Sequence, residues 1–167
     1  MKWHEYFFSI INVIKQKSKD NSIKIGCVIA GNKNQILSTG FNGFPIKVLD
    51  KSERYERPLK YLYTEHAERN AIYFAARQIL EGSTIYLQWF PCADCARAII
   101  QSGIAKIVID ADNYGYDIQN KKEGNKRWED SFIAAKQMLG EAGVRIEFKG
   151  KKENVNKCYN ELKGIIK

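Results

Sequence analysis

The spacing of apolar residues predicts a first helix followed by a hairpin. Apolar side chains recur at helical spacing near the start of the chain, which predicts a helix with one apolar face: Trp3, Tyr6, Phe7, Ile10, Ile11 and Ile14. The apolar run Ile25–Ala30 predicts a buried strand, and Ile36–Gly40 predicts its hairpin partner across a turn at 31–34. Residues 41–45 are too rich in turn residues to continue the strand, and residues 46–60 are charged and irregular.

The rest of the chain alternates between predicted strands and helices. The alanine-rich segment from His66 to about Leu80 predicts a helix buried among other elements, and Cys92–Ser102 predicts a second, with Gly103 suited to its C-cap. A third helix is expected at Trp128–Leu139, after a polar loop at 112–126. Strands are predicted at Ser83–Gln88, Ile104–Asp110 and, as an edge strand, Val144–Phe148. Strand–helix–strand repeats imply parallel pairing, so we expect a three-layer α/β/α sandwich around a mixed sheet of about five strands.

Composition and charge narrow the class of protein. The 167 residues, 44% hydrophobic and 28% charged, are typical of a globular domain, which we place at 1–150. A lysine-rich helix or tail follows at 151–167. The net charge of +8 suits nucleic acid or a phosphorylated small molecule, but about half of the excess lies in the terminal segment. The sequence shows no membrane span and no signal peptide, so we expect reduced cysteines and a cytoplasmic protein.

Candidate metal ligands occur in two short motifs, His66-Ala67-Glu68 and Pro91-Cys92-Ala93-Asp94-Cys95. A histidine and two cysteine thiolates are good zinc ligands, and three of them leave the fourth tetrahedral position free for water. Glu68 is poorly placed to bind the same ion but well placed to exchange protons with that water. The pairing of H-x-E with P-C-x-x-C is the known signature of zinc-dependent nucleobase deaminases. It indicates hydrolytic removal of an amine from a heterocycle.

Other sites also use two cysteines three residues apart. Disulfides do not fit four cysteines in a chain that we expect to be intracellular, and a redox motif leaves the histidine and glutamate unexplained. A structural zinc site would need a fourth ligand from Cys27, Cys158 or His4. Because these lie in an apolar strand, a lysine-rich tail and an amphipathic helix, we favour an open catalytic site.

The predicted helices bring the ligands together. His66 and Cys92 each begin a helix, and Cys92 and Cys95 face the same side of one turn. The positive end of the helix dipole stabilises the thiolates. Zinc lowers the pKa of its water to roughly 7. We therefore expect Glu68 to serve as general base and general acid, with a pKa raised by burial.

Several segments resemble the deoxycytidylate (dCMP) deaminases of the cytidine deaminase superfamily. They are 18–26, Gly40–Pro45 with its Gly-Phe-Asn-Gly-Phe-Pro sequence, His66–Ile72, and Phe90–Cys92 with Cys95. The resemblance covers about residues 3–148. It implies a cytidine deaminase-like fold and the conversion of dCMP and water to dUMP and ammonia, which supplies the precursor of thymidylate.

The resemblance also implies regulation and substrate contacts. Family members are commonly hexamers regulated by dCTP and dTTP, bound with Mg²⁺ near the glycine-rich loop, here Gly40, Asn42 and Gly43. Asn42 would contact the sugar or phosphate of the substrate, although as a residue type it is equally suited to a turn. For the phosphate, Lys19 is the first candidate, with Arg69 and Lys47 behind it, and each could instead be a solvated charge. Tyr114 could cover the sugar or base, because ligands favour the carboxyl ends of strands, or could be an ordinary loop tyrosine.

Three features depart from the family's usual pattern. Arg69 stands where a neutral residue such as methionine or leucine is frequent, and it could bear on phosphate or effector binding. The segment 46–64 lacks the cysteines and histidines that give some relatives a second zinc, and the loop at 111–127 is long and charged. These departures concern regulation and nucleotide preference rather than the deaminase chemistry.

Rival functions remain open at the level of sequence. A deaminase of tRNA adenosine shares the zinc pattern, but it would need basic and stacking residues around the pocket, so nucleic acid is not the partner we expect. Cytidine, dCTP, cytosine and guanine are further candidate substrates that the sequence leaves open. A non-catalytic zinc-binding module is the alternative of another class, and the spare Glu68 argues against it.

Overall fold

Five strands form one mixed sheet in this computed structural model, which describes residues 1–76, 79–113 and 126–164. Their bounds are β1 (Gly26–Ala30), β2 (Ile36–Phe41), β3 (Thr84–Leu87), β4 (Lys106–Asp110) and β5 (Arg145–Lys149). The order across the sheet is β2-β1-β3-β4-β5. β1 is antiparallel to both of its neighbours, whereas β3, β4 and β5 are parallel. The predicted hairpin, parallel unit and edge strand are therefore present.

Helices cover both faces of the sheet. Their bounds are α1 (Trp3–Ile14), α2 (Lys60–Tyr63), α3 (Ala67–Phe74), α4 (Ala93–Gln101), α5 (Lys126–Glu141) and α6 (Lys152–Gly164). α1 packs on one face, where buried side chains form a cluster of Phe7, Phe8, Ile11, Val28, Ala30, Tyr86 and Val108. Residues of α3, α4 and α5 share the core of the opposite face. The arrangement confirms the predicted three-layer sandwich.

Strand alternation divides the core between these two faces. Val28 and Tyr86 point toward α1, whereas their neighbours Cys27 and Leu87 belong to the core under α3 and α4. Because successive side chains of a strand point to opposite faces, a strand covered by helices on both sides must be apolar throughout. All five residues of β1 are accordingly buried.

The loops that carry candidate site residues leave the sheet at the same end of its central strands. Phe41 at the end of β2 pairs with Gly26 at the start of β1, and Cys27 pairs with Leu87 at the end of β3. The Gly26 N–H donates to Gln88 Oε1 at 2.9 Å. The loops before β1, after β2 and after β3 therefore emerge side by side.

The helix predicted from His66 to Leu80 is shorter than the pattern indicated. α3 ends at Phe74, and Ala75 already has an extended backbone. Tyr73 and Phe74 are 63% and 65% exposed, so the last turn of α3 buries little apolar surface. Packing of an apolar face, rather than composition, stabilises most helices in proteins, and the last turn of α3 has little such packing.

The lysine-rich C-terminal segment contains helix α6, which lies along β5. Cys158 is buried in the main core, and the rings of Tyr159 and Phe148 meet edge to face at 5.0 Å. The Phe148 N–H of the edge strand donates to the Tyr159 hydroxyl at 3.3 Å. The division of the chain into a domain at 1–150 and a lysine-rich helix or tail at 151–167 stays a prediction. Within the described ranges, no helix has both the length and the apolar character needed to cross a membrane.

Candidate active site

His66, Cys92 and Cys95 form the candidate metal centre. The imidazole Nδ1 lies 3.5 Å from Cys92 Sγ and 3.4 Å from Cys95 Sγ. Tetrahedral zinc with ordinary Zn–N and Zn–S bonds places such donors about 3.6 Å apart. The donor set therefore fits zinc in both chemistry and spacing. Across the described residues no further histidine, cysteine or carboxylate joins this group, so three ligands leave one position open.

Two helix N-termini converge at these donors. His66 is the N-cap of α3 and Cys92 is the N-cap of α4, so each lies one residue outside the helix that was predicted to begin with it. Ser131 of α5 accepts a hydrogen bond from the Ala93 N–H at 2.9 Å and so satisfies a free donor at the start of α4. The positive helix ends favour thiolates at this point.

The contacts among the three donors shift their pKa values in different directions. Hydrogen bonding from the Cys95 thiol, with a further contribution from His66, lowers the pKa of Cys92 to about 4. The same hydrogen bond raises the pKa of Cys95, and the contact with Cys92 raises the pKa of His66. The lowered pKa of Cys92 favours its thiolate, the form in which cysteine binds zinc, whereas Cys95 and His66 would have to release their protons on binding.

Glu68 lies in the first turn of α3, beside the donors but outside their group. The residue is only 8% exposed, and burial raises the pKa of its carboxyl, against a smaller lowering by His66. The neighbouring Ala67 carbonyl accepts a hydrogen bond from the buried Cys27 thiol at 3.1 Å. A buried carboxyl with a raised pKa is suited to taking up and releasing a proton near neutral pH.

Asn42 is built into the loops next to this centre. Its Oδ1 accepts from the Ile25 N–H at 2.8 Å, and its Nδ2 donates to the Ile23 carbonyl at 2.9 Å and to Asp20 Oδ2 at 3.3 Å. The adjacent Gly43 exchanges two backbone hydrogen bonds with Glu65, at 3.1 and 2.8 Å. The loop that carries Asn42 is therefore fastened to the residue before His66.

The two glycines of this loop have different surroundings. A Cβ at Gly40 would lie 2.1 Å from the Ala67 carbonyl oxygen and 2.6 Å from the Ala71 nitrogen, so β2 and α3 touch there. A Cβ at Gly43 would meet nothing closer than the Phe41 ring at 3.8 Å. Gly40 thus has a steric role that the sequence did not reveal.

The candidate phosphate donors lie in different places. Lys19 is 71% exposed and forms an ion pair with Asp50, and Lys47 is also exposed. Arg69 forms an ion pair with Glu65 and a second with Asp94 at 3.3 Å, directly beside the metal donors. Tyr114 lies outside the described residues.

Sequence reasoning missed two features near the site. Lys60 is buried and pairs with Asp20 at 2.6 Å, with a further hydrogen bond to Ser22. The Trp128 ring lies 6.2 Å from both His66 and Tyr61, so α5 supplies an aromatic wall beside the metal position. Neither contact has a local signal, because the partners are far apart in the chain.

Comparison with known proteins gives consistent matches. The family described as "Cytidine and deoxycytidylate deaminase zinc-binding region" matches residues 1–111. An uncharacterized deaminase of Aliivibrio fischeri is 40% identical over 87% of this chain and 92% of its own length. The deoxycytidylate deaminase of Homo sapiens is 34% identical over 68% of this chain and 67% of its own.

A similar fold occurs in the dCMP deaminase of the cyanophage S-TIM5, crystallised with dCMP and dUMP. It superposes with a TM-score of 0.63 at 24% identity, over 89% of this chain and 99% of that one. The fold and the open three-donor centre beside a spare carboxylate define a zinc-dependent hydrolytic deaminase. The chain belongs to the cytidine and deoxycytidylate deaminase family.

Proposed function

We propose that this protein converts dCMP and water to dUMP and ammonia. The observation that carries the proposal is the metal-donor group of His66, Cys92 and Cys95 with the buried Glu68 beside it. Relatives named deoxycytidylate deaminase, which align over two thirds or more of this chain, support dCMP among the substrates that such a centre could take.

Each residue of the centre has a proposed role. His66 Nδ1 and the Cys92 and Cys95 thiolates would hold zinc, which would activate water for attack on the amine-bearing carbon. The Glu68 carboxylate takes a proton from that water and delivers it to the ring nitrogen. Glu68 then takes the second proton, from the hydroxyl now bonded to that carbon, and passes it to the amine; the C–N bond breaks, the carbonyl forms and ammonia leaves. A carboxyl whose pKa is raised by burial can do both steps in one turnover.

Substrate binding is proposed for Asn42, Lys19 and Tyr114, with Arg69 as the alternative to Lys19 at the phosphate. Asn42 Oδ1 accepts one hydrogen bond at present and has a second lone pair with which to meet a sugar hydroxyl. Lys19 would bind phosphate by exchanging Asp50 for the ligand. Arg69 is the nearer cation, but its guanidinium is already held by two carboxylates.

Regulation and assembly belong to the same proposal. We propose a hexamer, with dCTP and dTTP as effectors that bind with Mg²⁺ at Gly40, Asn42 and Gly43. The steric role of Gly40 accounts for one of these glycines without an effector, so the effector site needs its own test. The four free cysteines are consistent with the cytoplasmic location that we propose.

Ammonia release from a panel of substrates tests the function. The purified protein should act on dCMP and far more slowly on dCTP, cytidine or a tRNA stem-loop. Preference for the stem-loop, or stoichiometric zinc without ammonia from any of them, would contradict the proposal. Repeating the dCMP assay with dCTP or dTTP and Mg²⁺ tests regulation, and sedimentation velocity tests the hexamer.

A further inference from the structure

Arg69 connects the two halves of the candidate metal centre. Its guanidinium forms an ion pair with Glu65, the residue before His66, and with Asp94 Oδ2 at 3.3 Å, between the two cysteines. Glu65 Oε1 in turn accepts the His66 N–H at 2.9 Å. One side chain therefore links the backbone of the histidine ligand to the helix turn that carries both thiolates.

The chemistry of arginine suits such a link. A planar guanidinium presents five donors in a fixed fork and can hold two carboxylates at once, which a lysine ammonium does less well. The Arg69 and Glu65 side chains are only 21% and 18% exposed, so solvent screens this pair less than one on an open surface, while the Asp94 carboxylate is 54% exposed. Asp94 also pairs with Arg97, but that partner is on the same helix and 61% exposed.

We propose that Arg69 is a positioning residue that braces His66 against the Cys92 and Cys95 pair and slows the loss of zinc. The inference rests on the proposed zinc site and deepens it. It assigns to Arg69 a role different from phosphate binding.

A double-mutant cycle on zinc dissociation tests the brace. The variants are Arg69→Met, Asp94→Asn and their combination, and the rate of zinc transfer to an excess of a chromophoric chelator is measured for each. If each charge acted on the ion independently, the effects of the two substitutions on the activation free energy of zinc loss would add. If the two side chains act through each other, these effects do not add. We expect Asp94→Asn to accelerate zinc loss by about 5-fold when Arg69 is present and by less than about 2-fold in the Arg69→Met background.

Arg97→Met is the matched control, because Arg97 pairs with Asp94 within α4, so this pair does not connect α4 to α3. It should leave the dissociation rate unchanged, and Arg69→Lys should lie between wild type and Arg69→Met. Additive effects of the two substitutions would overturn the brace. So would an unchanged zinc rate in Arg69→Met combined with a raised KM for dCMP but not for deoxycytidine, which would make Arg69 a phosphate ligand. Wild-type protein that takes up no zinc would instead overturn the proposed function itself.

Discussion

Gly40 of β2 touches the Ala67 carbonyl of α3, and no side chain fits between them. A Cβ at position 40 would lie 2.1 Å from that oxygen. Because Ala67 lies between His66 and Glu68, the separation of β2 and α3 sets the position of both residues relative to the thiolates. The glycine is thus part of the architecture of the candidate centre.

We predict that Gly40→Ala lowers the free energy of unfolding by about 1–3 kcal/mol and also reduces turnover, because α3 must shift to admit the methyl group. Gly43→Ala is the control, since its Cβ meets only the Phe41 ring at ordinary distance. Chemical denaturation and ammonia release measure both variants. Equal stability of the two variants would show that the close approach at Gly40 has no energetic consequence.

The buried pair of Lys60 and Asp20 should matter more than the exposed pair of Lys19 and Asp50. Lys60→Met leaves the Asp20 carboxylate buried without its cation, which typically costs about 3–5 kcal/mol of stability. Lys19→Met removes a cation that is 71% exposed, for which about 0–1 kcal/mol is expected. Urea denaturation of the two variants compares them directly, and a Lys60→Met protein as stable as Lys19→Met would contradict the prediction.

Low pH should weaken the buried ion pair of Asp20 with Lys60. Burial alone would raise the pKa of Asp20, but hydrogen bonds from Lys60, Ile23 and Ser22 outweigh it, and the pKa lies below its ordinary value of 3.8. A carboxyl with a lowered folded-state pKa contributes stability above its unfolded pKa and loses it as pH falls through the folded one. The stability difference between wild type and Asp20→Asn should therefore be larger at pH 6 than at pH 2. A pH-independent difference would show that Asp20 is not held as a carboxylate.

Most of the fold follows from local patterns in the sequence. The apolar period of α1 and the uniformly apolar β1 specify their elements, because each must bury one stripe or both faces. The C-terminal limit of α3 could not be predicted in this way. It depends on whether Tyr73 and Phe74 find a surface to pack on, which only the tertiary structure determines.

The candidate site, too, could be predicted only in part from the sequence. The short spacings of His66 with Glu68, and of Cys92 with Cys95, already indicate the donors, because zinc chemistry restricts residue type and count. The contacts of Arg69 with Asp94, Lys60 with Asp20 and Trp128 with His66 join residues 25 to 62 positions apart. No local pattern indicates such contacts, so they emerge only from the packing of one element on another.

Glu68→Gln tests the central claim most directly. The amide keeps the shape of the side chain but cannot carry a proton between water and the base, and loss of general acid–base catalysis typically costs about 10²–10⁴-fold in rate. Zinc content by atomic absorption and ammonia release from dCMP should be measured on the same sample. We predict stoichiometric zinc and a fall in kcat of at least about 10²-fold. A zinc-loaded Glu68→Gln protein that deaminates dCMP at the wild-type rate would contradict the account.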